Sequence, residues 1–233
     1  MSSAAAAPTP LLRRYAAWSL DAAAIGALAG VLMHRPLRDA LRTCDRAIDA
    51  LSQTMAALTQ QTLDLAASPA ALLQAWMADP ALQVAITALA LAISSLVLPA
   101  MLVFSLVALA WFTAFEGTRW QATPGKRLLG LQVVDDDGLP PGFVRSGLRN
   151  AAGLLSWLSF NIGHLLAARG PRYQALHDRI AGIRVVRRDH APMPLAARLW
   201  LTLQPPAFFL LLALLMRHLD RSMAAALEAT LGL

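Results

Sequence analysis

The longest apolar stretch of this chain, residues 81–115, contains 35 residues and no charged side chain. At about 1.5 Å per residue, a helix of this length exceeds the ~30 Å hydrocarbon core of a bilayer, but it is too short for two crossings and a turn. We therefore expect one tilted transmembrane helix that crosses at about residues 88–115, extends beyond the membrane at its first end and has a candidate bend at Pro99.

The composition agrees with a membrane protein. Only 15% of the residues are charged and 57% are hydrophobic, whereas a typical soluble domain has about 25% charged residues. The net charge is +6, and the basic residues cluster at the ends of apolar runs. This distribution favours the lipid bilayer, not nucleic acid, as the anionic partner. Cys44 is the single cysteine, so an intrachain disulfide is excluded.

A second apolar run, at residues 15–33, contains one carboxylate, Asp21. An aspartate near the middle of a transmembrane helix costs roughly 2.5–3.5 kcal/mol on insertion, so we expect Asp21 to face protein. Arg14 lies seven residues earlier, on nearly the same helix face. Two interpretations stay open: a carboxylate that exchanges a proton or cation, or a structural ion pair with an arginine such as Arg127 or Arg179.

Residues 35–80 form an insert with a heptad pattern of apolar residues, which predicts a long extramembrane helix with one adhesive face. We read residues 1–12 as a mobile tail and the first span as an uncleaved anchor. The apolar face of the predicted insert helix could bind a second copy or a protein partner, or it could pack on a neighbouring helix of the same chain or on the membrane surface. Its members are Leu37, Leu41, Cys44, Ile48, Leu51, Met55, Leu58 and Leu65.

Two ten-residue segments resemble each other without gaps: GKRLLGLQVV at residues 125–134 and HDRIAGIRVV at residues 177–186. Arg127 aligns with Arg179, Gly130 aligns with Gly182, and the two Val-Val pairs coincide. Each segment ends in a short strand pattern, and an isolated strand is unstable, so we expect the two strands to pair on one side of the membrane.

The basic residues predict the orientation, because cytoplasmic flanks carry more lysine and arginine. If residues 150–168 do not cross, 14 of the 20 basic residues lie inside. We therefore predict a cytoplasmic N-terminus, a cytoplasmic two-stranded β element, and a re-entrant or interfacial hairpin at about residues 150–168 that is broken near Asn161 and Gly163. Residues 195–233 would add a further membrane helix and a tail. The fold class is mainly α: a multi-span transmembrane helix bundle with a long helical insert.

The sequence contains no pattern typical of an enzyme, a metal site or a cofactor site. Gly125 and Lys126 lack the spacing and the hydroxyl residue of a phosphate-binding loop. Asp178, beside His177, could bind a metal or relay protons, or it could cap a helix and hold an arginine. His164 could line a path or satisfy broken backbone in the hairpin. We expect no cofactor, no metal and no enzymatic activity.

With these residues the chain resembles the RDD family of bacterial membrane proteins. Three groups of residues carry the resemblance: Arg14, Ala17 and Asp21 in the first span; TPGKRLLGLQVVDDDG with Pro140 and Arg149; and HDRIAGIRVV with Asp178. The resemblance covers about residues 11–188 apart from the insert, and it implies that the namesake arginine and aspartates are Arg14, Asp21 and Asp178. Some family members are linked to sodium/proton antiport, so the resemblance implies an inner-membrane protein that moves a proton or a small cation. His164, in the expected hairpin, is a further candidate at this site. The alternative is a non-catalytic assembly protein that acts through the heptad helix.

Overall fold

The computed structural model describes residues 11–63, 69–158, 174–188 and 191–231, and most of these residues are helical. The mainly α fold class is therefore confirmed. The helices are α1 (Leu11–Leu32), α2 (His34–Leu63), α3 (Pro69–Ala78), α4 (Pro80–Gly117), α5 (Pro124–Leu128), α6 (Gly142–Leu158), α7 (Leu176–Ala181) and α8 (Leu195–Leu231). The strands are β1 (Leu131–Asp135) and β2 (Ile183–Arg187). The chain divides into two compact units, residues 1–29 with 103–204 and residues 30–102 with 205–233.

Three helices are long and apolar enough to cross a membrane: Leu11–Leu32, Pro80–Gly117 and Leu195–Thr230. The first covers residues 15–32 of the span expected at residues 15–33, the second contains the span expected at residues 88–115, and the third contains the last apolar run. Pro99 lies within α4, and Pro205 and Pro206 lie within α8, so both helices continue through their prolines. Apolar helices tolerate such residues where neighbouring groups satisfy the freed backbone carbonyls.

The hairpin expected at residues 150–168 is described only in its first part. Residues 150–158 continue α6, which begins eight residues earlier than the hairpin, at Gly142. Asn161, Gly163 and His164 lie outside the described residues, as do residues 1–10 of the N-terminal tail. The hairpin and its break therefore stay a prediction.

The two repeated segments fold alike, and their strands pair. Each consists of a short helix, a glycine and a strand, and Gly130 and Gly182 adopt left-handed backbone angles with φ of 65° and 62°. Glycine reaches this region without a Cβ clash, so it can turn the chain from helix to strand. The strands run antiparallel, and Val133 lies opposite Val185. These two valines occupy equivalent positions in the repeat, which gives the segment local two-fold symmetry and confirms the expected pairing.

In the core of the first unit, α1 and the start of α8 pack against this sheet. Alanines on α1 allow close approach of the helix backbone, while leucine, isoleucine and valine from the repeats fill the remaining space. Leu20, Met193 and Leu201 pack against the edge of the cluster. Its buried members are Ala16, Ala17, Leu129, Leu131, Val133, Ala181, Ile183, Val185 and Ala197.

In the second unit, part of the heptad face packs within the chain. Cys44 and Ala47 of α2 are buried against Ala92 of α4, with Leu89 and Leu96 beside them. This contact supports the intrachain alternative at Cys44. Leu58 is also buried and Leu41 is 47% exposed, whereas four other members are half-buried: Leu37, Ile48, Leu51 and Met55. Leu65 lies outside the described residues, and binding of a partner through this face stays a prediction.

Candidate functional site

Asp21 lies inside α1 with 1% of its surface exposed, and three uncharged groups donate hydrogen bonds to its carboxylate. The Thr123 hydroxyl donates a hydrogen bond to Oδ2. The backbone N–H of Gly125 donates to Oδ1 at 2.9 Å, and the Trp111 indole N–H approaches the same oxygen at 3.4 Å. We call these three donors the Asp21 cradle. They satisfy the carboxylate, so it does not lie unpaired in an apolar setting.

The local sequence positions two of the three donors. Thr123 is the N-cap of α5, and Pro124 follows where a helix does not need its N–H, so the Thr-Pro pair starts the helix. Gly125 then approaches α1 closely. A Cβ at this position would lie 2.8 Å from Oδ2 of Asp21 and would overlap the carbonyl oxygen of Ala17. The glycine therefore allows the backbone of α5 to reach the carboxylate.

The structure does not pair Asp21 with Arg127 or Arg179, the two arginines named for the ion-pair interpretation. Arg127 is exposed, and its guanidinium carbon lies 4.6 Å from the centre of the Trp120 ring. Arg179 is exposed on α7, and Arg14 pairs with Asp178. Both repeat arginines lie on the outer faces of their short helices, so neither can reach the buried carboxylate.

Five charged side chains form a continuous series that we call the ion-pair chain: Lys126, Glu116, Arg149, Asp178 and Arg14. Lys126 pairs with Oε1 of Glu116, and Arg149 Nη1 lies 2.6 Å from Oε2. Arg149 Nε lies 2.8 Å from Asp178 Oδ1, and Arg14 Nη1 lies 3.2 Å from Asp178 Oδ2. Both carboxylate side chains are 0% exposed. The ion-pair chain connects five helices: α1, α4, α5, α6 and α7.

Two of these buried charges, Lys126 and Asp178, occupy equivalent positions in the two aligned segments of the repeat. Because they carry opposite charges, each can bind a different end of the Glu116–Arg149 pair. The two halves of the repeat are thus joined by alternating charges in addition to their paired strands.

Two buried charges outside the candidate spans, Asp178 and Arg149, are held ionised by their neighbours. Burial would raise the pKa of Asp178, but Arg149, with His177 and Arg14, lowers it well below its usual range. Burial would lower the pKa of Arg149, but Glu116 and Asp178 raise it above its usual range. For Lys126, burial has the larger effect and lowers the pKa despite the attraction of Glu116. Asp178 and Arg149 therefore stay charged at neutral pH.

Asp178 performs both structural tasks considered from the sequence. Its Oδ2 accepts the backbone N–H of Ala175 at 3.1 Å, which caps the start of α7, and it also holds two arginines. His177 Nε2 lies 3.4 Å from Oδ1. No group of three or more metal-ligating side chains is present in the part of the chain that the structure describes.

Two arginines at the start of α1 attach this helix to the strands. Arg13 donates to the carbonyl oxygens of Leu129 at 3.1 Å and Ala191 at 2.7 Å. Arg14 donates to the carbonyl oxygen of Val185 at 3.3 Å. These bonds satisfy backbone acceptors beside the sheet and fix the position of the helix that carries Asp21.

Sequence reasoning missed Glu116, Thr123 and Trp111 as site residues. Glu116 is the first charge after 35 uncharged residues, and a charge at that point resembles the ordinary end of a span. The start signal at Thr123 and Pro124 could have identified the hydroxyl as a cap, but not as a donor to Asp21. Of the four residues expected at the site, the structure joins Arg14 and Asp178, places Asp21 in a separate cradle and leaves His164 undescribed.

Comparisons with known proteins give one family and one relative. A family model described as the RDD family matches residues 8–182, which is more than half of the chain. The "Uncharacterized protein YxaI" of Bacillus subtilis (strain 168) is 34% identical over 89 residues, which cover 38% of this chain and 58% of that protein. The chain therefore aligns with little more than half of this relative. No solved structure matches the chain.

Proposed function

Because the chain belongs to the RDD family of bacterial membrane proteins, we propose that it exchanges a proton or a small cation such as sodium at Asp21. The ion-pair chain would then be the fixed frame that holds α1, which carries the exchanging group. This function needs no enzymatic step and no cofactor.

One observation carries the proposal: the hydrogen bonds to the Asp21 carboxylate come from three uncharged donors. The Lys126 ammonium acts on Asp21 only at longer range, because it pairs with Glu116. The other buried acids in the described residues each have a basic partner, namely Glu116 with Lys126 and Arg149, Asp135 with Arg145, and Asp178 with Arg149 and Arg14. A carboxylate already neutralised by a fixed cation gains little from a mobile one. Asp21 has no such partner at ion-pair distance in the described chain, so a proton or sodium ion would offset the cost of its burial.

The surroundings of Asp21 also suit a small ligand. The Thr123 hydroxyl can donate to a carboxylate or turn its lone pairs toward a bound cation, because a hydroxyl is both donor and acceptor. Oxygen ligands of this kind are typical of hard cations. Arg14 and Asp178, in contrast, pair with each other, so we assign them to the frame.

The test is sodium/proton exchange in everted membrane vesicles that contain Asp21→Asn. Asparagine keeps the size of the side chain and its oxygen acceptor, but it cannot hold an exchangeable charge. We expect the sodium-dependent fluorescence change of a pH-sensitive dye to disappear, with the amount of protein in the membrane unchanged.

Asp137→Asn is the matched control, since it makes the same chemical change at an exposed turn residue. Exchange should persist in that variant at the wild-type rate. Wild-type exchange in Asp21→Asn, or equal loss in both variants, would remove Asp21 from the function.

We also propose that the protein lies in the plasma membrane with its N-terminus in the cytoplasm. In this arrangement residue 60 would lie outside and residue 188 inside. The excess of basic residues between the second and third candidate spans supports it. Gln60 and Arg188 are exposed, so a single cysteine at either position in a Cys44→Ala background is open to a reagent. In intact cells, an impermeant maleimide should label position 60 and spare position 188, and the reverse result would invert the topology.

A further inference from the structure

An open groove of about 250 Å³ lies at the C-terminal end of α4, and none of its lining residues belongs to the Asp21 cradle or to the ion-pair chain. Its walls are Ala114, Phe115, Thr118, Arg119 and Trp120. The groove therefore combines two aromatic rings, a methyl group, a hydroxyl and one guanidinium. It lies where a helix long and apolar enough to span a bilayer ends, and aromatic residues at such ends lie at the level of the lipid headgroups.

The aromatic rings and a second arginine make this groove a defined surface. The Phe115 and Trp120 rings are 5.6 Å apart, and the Arg127 guanidinium carbon lies 4.6 Å from the centre of the Trp120 ring. The ring holds the long arginine side chain beside the groove while its charge stays exposed. Arg119 and Arg127 both lack a carboxylate partner among the residues that the structure describes.

We propose that this groove binds an anionic phospholipid, with its phosphate on Arg119 and Arg127. Two exposed guanidinium groups, Arg119 in the groove lining and Arg127 on the Trp120 ring, suit a phosphate, because each offers several N–H donors in a planar fork. The Thr118 hydroxyl provides a further donor for the headgroup. The proposal is independent of cation exchange at Asp21.

The walls favour a lipid over a soluble phosphate compound. Ala114 and Phe115 belong to the apolar part of α4 and offer hydrocarbon contact to the first carbons of an acyl chain. A soluble phosphate compound would leave these side chains without a matching surface. An intact lipid satisfies both the charged and the apolar parts of the groove.

The experiment compares lipid binding to the full-length, detergent-purified protein by native mass spectrometry. The probes are phosphatidylglycerol and phosphatidylcholine with identical acyl chains, added at equal concentrations. Each arginine near an anionic headgroup contributes about fivefold to the binding affinity. We therefore expect the double variant with Arg119→Gln and Arg127→Gln to bind phosphatidylglycerol about 25-fold more weakly and to lose the preference for phosphatidylglycerol over phosphatidylcholine.

The repeat supplies the control. Arg179 is the equivalent of Arg127 in the second segment, is exposed, and has no aromatic ring beneath it within the described part of the chain. Substituting both Arg179→Gln and Arg188→Gln removes the same charge and should preserve the preference. Equal loss in both double variants, or an unchanged preference in the groove variant, would overturn the proposal. Displacement of the lipid by glycerol phosphate at equal concentration would also overturn it, because the apolar walls would then contribute nothing.

Discussion

Arg149→Met is the most direct test of the ion-pair chain, since the Arg149 guanidinium joins its two buried carboxylates. The substitution removes contacts of 2.6 Å to Glu116 and 2.8 Å to Asp178. Removing one partner of a buried ion pair costs about 3–5 kcal/mol. Glu116 keeps Lys126 and Asp178 keeps Arg14, so we expect the lower end of this range, about 3 kcal/mol.

This free energy predicts a measurable loss of thermal stability. In a chain of this size, 1 kcal/mol shifts the Tm by about 2–4 °C, so the expected decrease is about 6–12 °C. The assay heats detergent-solubilised protein and measures the monodisperse fraction by size-exclusion chromatography.

Arg145→Met is the matched control on the same helix. The Arg145 side chain is 56% exposed and lies 3.4 Å from Asp135, and exposed pairs contribute at most about 1 kcal/mol. Its Tm should fall by no more than about 4 °C. Equal shifts in the two variants, or a shift below about 2 °C for Arg149→Met, would refute the structural role of the ion-pair chain.

Two further predictions concern packing and acid stability. Gly125→Ala should reduce the yield of monodisperse protein, because its Cβ would meet Ala17 and Asp21 at a cost of about 1–3 kcal/mol or more, whereas Gly26→Ala, with nothing within 4 Å, should be tolerated. Equal yields would contradict this account. Asp178 has a lowered pKa in the folded protein, so its stabilisation is complete above the unfolded pKa of about 4 and is lost as the pH falls below that value. We therefore expect the Tm to decrease as the pH is lowered below about 4, and to decrease less steeply with pH in Asp178→Asn. An equally steep decrease in both proteins would exclude Asp178 as its source.

The sequence predicted the repeat because the information is local. Gly130 and Gly182 align without gaps, and each precedes a Val-Val strand, so the two strands could be predicted from the segments alone. The short helix before each glycine was not predicted. The pairing of the two strands was expected because a single strand is unstable. Their antiparallel direction and the register of Val133 opposite Val185 come from the structure.

The partners of the buried charges could not be predicted in the same way. Glu116, Arg149 and Asp178 lie on three helices that are distant in sequence, and no periodicity indicates that they meet. Arg127 and Arg179 were considered as partners of Asp21 in one of two open interpretations, but both lie on outer helix faces. The adjacent Lys126 and Asp178 point inward instead, and local sequence does not distinguish these two orientations.

The ribosome synthesises the three donors of the Asp21 cradle after Asp21 itself. Trp111 and Gly125 follow Asp21 by 90 and 104 residues, so at 5–20 residues per second the ribosome produces these donors roughly 5–20 s after the aspartate. During this interval only the apolar residues of the same helix can offset the cost of placing Asp21 in a membrane. A nascent chain stopped before residue 111 would therefore carry the acid without any of its three donors.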